Sequence, residues 1–165
     1  MYLPAILFSI IVFIDKLRKK VVVNSKQTPS PISKWAHDEL RNILLSQLTP
    51  NCYISITDEW KYKYKWEDVK KFLKIDTIDE KTYVNNIYDC ENFTNDLLKE
   101  ADKWLPCSTF GELRTLTIPG DKTSAHSVAI FVDENGMVRV MEGQNDKTSL
   151  RSELNYEDFF CDLRS

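Results

Sequence analysis

Three residues of this sequence, Cys90, His126 and Glu142, have the side-chain chemistry of a thiol nucleophile and its base. A thiolate attacks an electrophilic carbon and an imidazole takes the thiol proton, while a carboxylate fixes the imidazole tautomer and stabilises its charged form. Each residue also has a structural explanation, because single cysteines and histidines often only pack or make structural hydrogen bonds. The three residues predict a catalytic site only if the local elements bring their side chains together.

Cys90 is predicted to open a helix. Apolar residues recur after it at helical spacing until Pro106, and they are Phe93, Leu97, Leu98, Ala101 and Trp104. The free N–H groups and the dipole at a helix N-terminus favour a thiolate and lower the pKa of a cysteine. The neighbours Asp89 and Glu91 oppose this effect unless a cation or an imidazolium neutralises them.

A hairpin is predicted to bring His126 and Glu142 together. Residues 126–132 and 137–142 both read as strands, and Asn135-Gly136 lies between them. Asn-Gly between two such runs is a strong hairpin signal. Counting back from the turn, His126 pairs within about three positions of Glu142. An imidazole and a carboxylate are therefore expected at one end of the same sheet.

The segment before Cys90 is predicted to hold two helices and two strands. Ser33 is a plausible N-cap for a helix over residues 34–48, and a short strand over residues 52–56 follows. Residues 60–66 interleave aromatic residues with lysines, and a helix to Leu73 comes next. The interleaved segment fits either a nucleic-acid stacking platform or a half-buried strand with a solvated lysine face. The negative net charge of the chain favours the strand.

Composition excludes several function classes. The chain has 165 residues, which suits one domain, and its net charge of −3 gives no basic field to hold nucleic acid. Only 4 glycines occur, without a glycine-rich phosphate loop. The 4 cysteines include no CxxC pair, which argues against a structural zinc site. No nucleic-acid partner is expected.

The N-terminus has its own pattern. Residues 1–23 carry an apolar run at helical spacing and then a basic cluster, which fits a packed helix or an anchor that docks on a protein or a membrane surface. The run lacks the cleavage site of a signal peptide, so we do not expect a cleaved secreted protein. Residues 24–32 are predicted to be a linker, and residues 33–165 the main domain.

Three strings resemble one known family. Residues 88–93 (YDCENF), 126–130 (HSVAI) and 140–146 (VMEGQND) are similar to the signatures of the papain-like C-terminal domain of the Marasmius oreades agglutinin and related stand-alone bacteriophage and prokaryotic domains. The resemblance implies an α+β, papain-like cysteine hydrolase fold, in which the helix that carries the cysteine packs on a small antiparallel sheet. It also implies a triad of Cys90, His126 and Glu142.

The same resemblance implies a divalent-cation site, for Ca²⁺ or Mn²⁺. Its ligands map onto Glu91, Asn92, Gln144 and Asp146. Oxygen donors of this kind suit these ions. The sequence departs from the family pattern in three places: Asn92 replaces an acid, Gly143 replaces a proline, and residues 127–129 (SVA) differ from the usual residues after the histidine. The loss of one carboxylate should weaken the metal site.

Three functions are compatible with the sequence. The first is a thiol hydrolase that cleaves a peptide or amide bond of a peptide or protein substrate, with a phage-encoded origin implied by the resemblance. The second is a non-catalytic virion or other structural protein that docks through its N-terminal helix, and the third is a peptidoglycan amidase. A viral origin would place the chain in the virion or the host cytoplasm.

Overall fold

The computed structural model describes residues 28–85 and 87–163. This part of the chain holds three α-helices and eight strands. The helices are α1 (His37–Gln47), α2 (Trp66–Leu73) and α3 (Cys90–Trp104). The strands are β1 (Ser33–Ala36), β2 (Tyr53–Ile56), β3 (Trp60–Lys63), β4 (Gly111–Leu116), β5 (Ala125–Val132), β6 (Val138–Glu142), β7 (Lys147–Leu150) and β8 (Glu157–Leu163).

Strands β1 and β3 form an antiparallel pair, and the other six strands form one sheet in the order β2-β8-β4-β5-β6-β7. In the larger sheet β2 pairs with β8 in parallel, whereas the remaining neighbours are antiparallel. The predicted hairpin is present as β5 and β6, with Gly136 at a positive φ of 76° in its turn. It places Ala129 opposite Met141, so that His126 and Glu142 lie towards the same end of the sheet.

Helices cover both faces of the larger sheet. Alternate residues of β5 point to opposite sides, as period-two side-chain geometry requires. Val128, Ile130 and Val132 join the apolar cluster that includes α1, and Ala129 and Phe131 join the cluster that includes α2 and α3. The helix that begins with Cys90 is thus held against one face of β5 by a continuous apolar core.

The predicted fold class is wrong. The sequence indicated a papain-like α+β fold with a small antiparallel sheet, whereas the described residues have more strand than helix, with eight strands in two sheets and a parallel pair in the larger one. The prediction missed β4, β7 and β8. Strand β8 has the sequence EDFFCDL, and its buried positions include Asp158, which reads as a surface residue until its partner Arg151 is known.

Two local predictions also need correction. The helix expected over residues 34–48 begins only at His37, because residues 33–36 pair with β3 instead. The lysine face expected on β3 is not fully solvated: Lys61 is completely buried and its Nζ lies 2.6 Å from Asp58 Oδ2. The Asp58 carboxylate gives the buried ammonium group a counter-charge.

The predicted N-terminal helix of residues 1–23 lies outside the described residues, together with most of the predicted linker. Its docking or anchoring role stays a prediction. No helix within residues 28–85 and 87–163 is long and apolar enough to cross a bilayer.

Candidate functional site

Cys90 is the first residue of α3, where the sequence placed it. Asp89 precedes the helix, and its N–H donates to Asn92 Oδ1 at 3.2 Å, which closes the first turn. The Cys90 thiol is partly buried, and Cys90 lines one cavity together with His126. The interaction with the His126 side chain is the largest cause that lowers the pKa of Cys90 from its usual value, against the opposing effect of burial. The site therefore favours the thiolate.

His126 lies near the start of β5, between the thiol and a carboxylate. Its Nε2 is 2.5 Å from Glu142 Oε2, so Nδ1 is the nitrogen left for Cys90. The hydrogen bonds to Cys90 and to Glu142, in that order of size, raise the pKa of His126 to about 10. The imidazole pKa is therefore raised and the thiol pKa is lowered, and both shifts favour a thiolate beside an imidazolium.

Ser127 connects the start of α3 to the sheet. Its backbone N–H also lowers the pKa of the Cys90 thiol. Its carbonyl accepts from Thr94 Oγ1 at 3.0 Å, one turn along α3 from Cys90, and its hydroxyl donates to Glu112 at 3.0 Å. The contact with Thr94 thus holds α3 against β5 near the imidazole, and the contact with Glu112 joins β5 to β4.

Close packing also sets the position of Glu142. The next residue, Gly143, lies against the backbone of α3: a Cβ on Gly143 would come within 3.2 Å of the carbonyl carbon of Phe93. A proline, which the resembled family has here, would need a rearrangement at this contact. Glycine therefore allows the end of β6 to approach the helix that carries Cys90.

The cysteines differ sharply in environment. Cys52 and Cys161 are buried, and burial raises the pKa of Cys52 to about 12 and that of Cys161 well above its usual value. Cys107 is partly buried and has a positive φ of 53°. All four are free thiols, and among Cys52, Cys90 and Cys161 only Cys90 has a lowered pKa.

A cavity of about 100 Å³ opens beside the Cys90 sulfur. Its lining residues are Cys90, Glu91, Arg114, Ala125, His126, Ser127 and Phe159. Arg114, Ser127 and Phe159 were not singled out by the sequence, because they lie on three strands whose order in the sheet was unknown. A small ligand in this cavity would contact the thiol, one guanidinium and one aromatic ring.

The four predicted cation ligands have different surroundings. Glu91 Oε1 lies 3.6 Å from Arg114 Nη1, and Asn92 Oδ1 accepts from the N–H of Asp89. The Gln144 N–H donates to Glu142 Oε1 at 3.5 Å. Asp146 groups instead with Asp76 and Asp79, whose ligand atoms all lie within 4.8 Å of one another. The sequence did not indicate Asp76 and Asp79, which follow α2 and approach the turn after β6 only in the fold. These three carboxylates are the set best placed to hold a divalent cation.

Comparison with known proteins gives structural neighbours only. No family model matches the chain, and no curated protein sequence matches it. A solved structure described as "PSL1a-E64 complex" has a TM-score of 0.66 at 16% identity and covers 78% of this chain and 50% of that one. A Polyporus squamosus lectin, described as bound to the human-type influenza-binding epitope Neu5Aca2-6Galb1-4GlcNAc, has a TM-score of 0.64 at 15% identity, with 78% and 49% covered. The chain thus spans about half the length of these neighbours.

These neighbours correct the family and function predictions. The sequence strings indicated the papain-like domain family, whereas one of the neighbours is described as a lectin, and no family or sequence match supports the predicted family. The same finding overturns the predicted thiol hydrolase, cysteine protease and bacteriophage descriptions. It gives no support to the virion-protein and peptidoglycan-amidase alternatives. Three short strings were too little sequence to define a family.

The neighbours also bear on the expected partner. The ligands named in the two descriptions are E64 and a sialylated trisaccharide, and neither is a nucleic acid. A partner other than nucleic acid is in line with the expectation from the net charge, while a peptide substrate finds no support. Likeness at this identity concerns the fold alone, so the roles of Cys90, His126 and Glu142 stay predictions.

Proposed function

We propose that Cys90 and His126 form an activated-thiol site, in which the thiolate attacks an electrophilic carbon of a small ligand. The observation that carries the proposal is that Cys90 and His126 line one cavity, where the imidazole lowers the pKa of the thiol and its Nε2 lies 2.5 Å from Glu142 Oε2. Glu142 is the positioning residue, because it holds the imidazole in the orientation that faces the sulfur. The proposal concerns thiol reactivity and does not extend to the hydrolysis of peptide or amide bonds.

Selective alkylation tests this proposal. The protein is treated with limiting iodoacetamide at pH 6.5, digested, and mapped by mass spectrometry. Labelling of Cys90 should be at least about tenfold faster than that of Cys107, because only the thiolate reacts and its fraction rises as the pKa falls. Cys52 and Cys161 should be labelled only after unfolding, since both are buried.

Two controls sharpen the alkylation experiment. Cys90→Ser removes the reactive site and leaves the other three thiols for comparison. E64, the ligand named for one neighbour, should slow the labelling of Cys90 and leave that of Cys107 unchanged. Labelling of Cys90 at the rate of Cys107 in the folded protein would contradict the proposal.

We also propose that Asp76, Asp79 and Asp146 bind Ca²⁺. Carboxylate oxygens suit this ion, and the three ligand atoms lie within 4.8 Å of one another. Asp146 is in the turn after β6, and its N–H donates to the carbonyl of Glu142 at 2.9 Å. A bound cation would therefore stabilise the turn that carries Glu142.

Calcium is expected to raise the melting temperature of the protein. Binding to the folded state alone stabilises it by mass action, by about 2.7 kcal/mol at a hundredfold excess over Kd. Differential scanning fluorimetry with CaCl₂, with MnCl₂ and with EDTA measures the shift. Asp79→Asn should abolish most of it, whereas Asp68→Asn, a change at an exposed ion pair with Lys71, should not. Equal melting curves in calcium and EDTA would exclude the site.

A second candidate function is glycan binding, which the description of the Polyporus squamosus lectin favours. A cavity of about 380 Å³ between α2 and α3 is lined by Phe72, Ile78 and Trp104 together with charged side chains, among them Glu100 and Lys103. An indole next to hydrogen-bonding groups suits the apolar and hydroxyl faces of a sugar.

Calorimetric titration with the trisaccharide named for that lectin tests glycan binding. Binding that Trp104→Ala removes and Trp60→Ala preserves would support a site in this cavity. Trp60 is a suitable control because it is exposed and lies in β3. Heats equal to those of dilution would contradict the candidate function.

A further inference from the structure

The cavity beside Cys90 is lined by Arg114, a cationic residue to which the thiol chemistry assigns no role. Arg114 lies on β4, directly opposite Ser127 of β5, so its guanidinium is on the same side of the sheet as the start of α3. It lines the cavity together with Cys90 and Phe159. The charge of Cys90 is among the causes that raise the pKa of Arg114, which places the guanidinium within electrostatic range of the sulfur.

The guanidinium is held firmly from one side. Its Nε donates to Glu112 Oε1 at 2.8 Å, and Glu112 is completely buried and also accepts from Ser127. The carbon of the guanidinium lies 5.6 Å from the centre of the Phe160 ring, which limits its movement further. The hydrogen bond to Glu112 Oε1 is made by Nε, which is not one of the two terminal nitrogens of the guanidinium.

The contact between the Arg114 guanidinium and Glu91 is weak. Arg114 Nη1 lies 3.6 Å from Glu91 Oε1, which is beyond hydrogen-bonding distance, and the Glu91 side chain is 54% exposed. Exposed ion pairs of this kind contribute about 0 to 1 kcal/mol. A ligand carboxylate that accepts two parallel hydrogen bonds from the guanidinium would be favoured over this contact.

We infer that Arg114 selects ligands that carry a carboxylate next to the electrophilic carbon. The inference rests on the activated-thiol site proposed above and names the ligand class of that site. The carboxylate binds the terminal nitrogens of Arg114, and the electrophilic carbon then lies beside the Cys90 sulfur. The cavity of about 100 Å³ has the liquid volume of about three water molecules, which suits a ligand of a few heavy atoms whose apolar part contacts Phe159.

Two matched alkylating agents test the inference. Iodoacetate and iodoacetamide react in the same way: the S–C bond forms, the C–I bond breaks and iodide leaves with the bonding electrons. They differ in that iodoacetate carries a carboxylate where iodoacetamide carries a neutral amide. The rate constants for Cys90 are measured with both agents at one pH by peptide mapping, and their ratio, iodoacetate over iodoacetamide, is compared between proteins.

The expected result is a fall of about tenfold in this ratio for Arg114→Gln, which corresponds to about 1.4 kcal/mol. Arg41→Gln is the matched control: it removes the same charge from an exposed position on α1, which packs on the opposite face of the sheet. Its ratio should equal that of the natural protein. Arg114→Lys keeps the charge without the planar fork, and it should retain part of the preference.

The possible results distinguish a failure of carboxylate selection by Arg114 from a failure of the activated thiol at Cys90. If Cys90 reacts rapidly with iodoacetamide but the ratio is the same in Arg114→Gln and in the natural protein, the inference is wrong and the activated thiol stands. If Cys90 of the natural protein reacts with iodoacetamide no faster than Cys107, the activated thiol itself fails. A salt series on the natural protein adds a test without substitution, because screening of Arg114 should lower the ratio as NaCl rises.

Discussion

Replacing His126 by alanine is expected to slow the alkylation of Cys90 at pH 7 by about tenfold or more, since each unit of thiol pKa changes the thiolate fraction about tenfold. The hydrogen bond to His126 is the largest cause that lowers the pKa of Cys90. Without it, burial raises the pKa and only the Ser127 N–H still lowers it. The substitution therefore lowers the fraction of Cys90 that is thiolate at neutral pH.

The pH profile gives the direction of the effect. In the natural protein the alkylation rate of Cys90 should rise through a pKa below the ordinary thiol value of 9.0, and in His126→Ala it should rise at or above that value. The imidazolium partner persists well above neutral pH, because the pKa of His126 is raised to about 10. Stopped-flow or quenched labelling between pH 5 and 10 would measure both curves.

The chain offers a matched histidine for comparison. It contains 2 histidines, and His37 is an exposed residue at the start of α1 with Nδ1 3.1 Å from Asp38. His37→Ala should leave the pH profile of Cys90 unchanged. Coincident profiles for His126→Ala and the natural protein would show that the ion pair does not form in solution.

Replacing Arg151 by methionine is expected to destabilise the protein by about 3 to 5 kcal/mol, because it leaves the buried Asp158 carboxylate without its counter-ion. Arg151 Nε and Nη2 donate to the two oxygens of Asp158 at 3.0 and 2.6 Å. Both side chains are almost fully buried, with 5% and 3% of the residue exposed. Asp158 also accepts from the N–H of Thr49, so the pair joins β8 to the segment after α1.

Urea denaturation measures this loss, with a surface pair as the control. Lys103 Nζ lies 2.6 Å from Glu100, but both side chains are largely exposed, and Lys103→Met should cost at most about 1 kcal/mol. Substituting both Arg151→Met and Asp158→Leu should recover part of the stability, because no uncompensated charge is then buried. Equal midpoints for Arg151→Met and Lys103→Met would show that the buried pair adds little.

Local elements near Cys90 could be predicted closely from the sequence. The bounds of α3, the β5–β6 hairpin and the placement of His126 and Glu142 at one end of it agree with the structure. These features depend on short-range signals: helical spacing of apolar residues, a proline after the helix and an Asn-Gly turn. Such signals act over a few residues and need no knowledge of the rest of the fold.

The sheet around them could not be predicted. Strand β8 lies between β2 and β4, and its pairing depends on residues more than 40 positions away. Its polar residue Asp158 is buried only because Arg151 accompanies it. The family resemblance, which depended on three strings near the site, therefore led to the wrong fold class.

The sequence by itself determined which residues have the chemistry of the site, Cys90, His126 and Glu142, and the local elements that carry them. Only the tertiary structure decided what surrounds them: Ser127 holding the sulfur, Arg114 in the cavity, and Asp76 and Asp79 beside Asp146. The physical reason is the separation along the chain over which each interaction acts. Helix starts and hairpin turns follow from neighbours in the chain, whereas strand order and the charges that burial brings together follow from packing of the whole sheet.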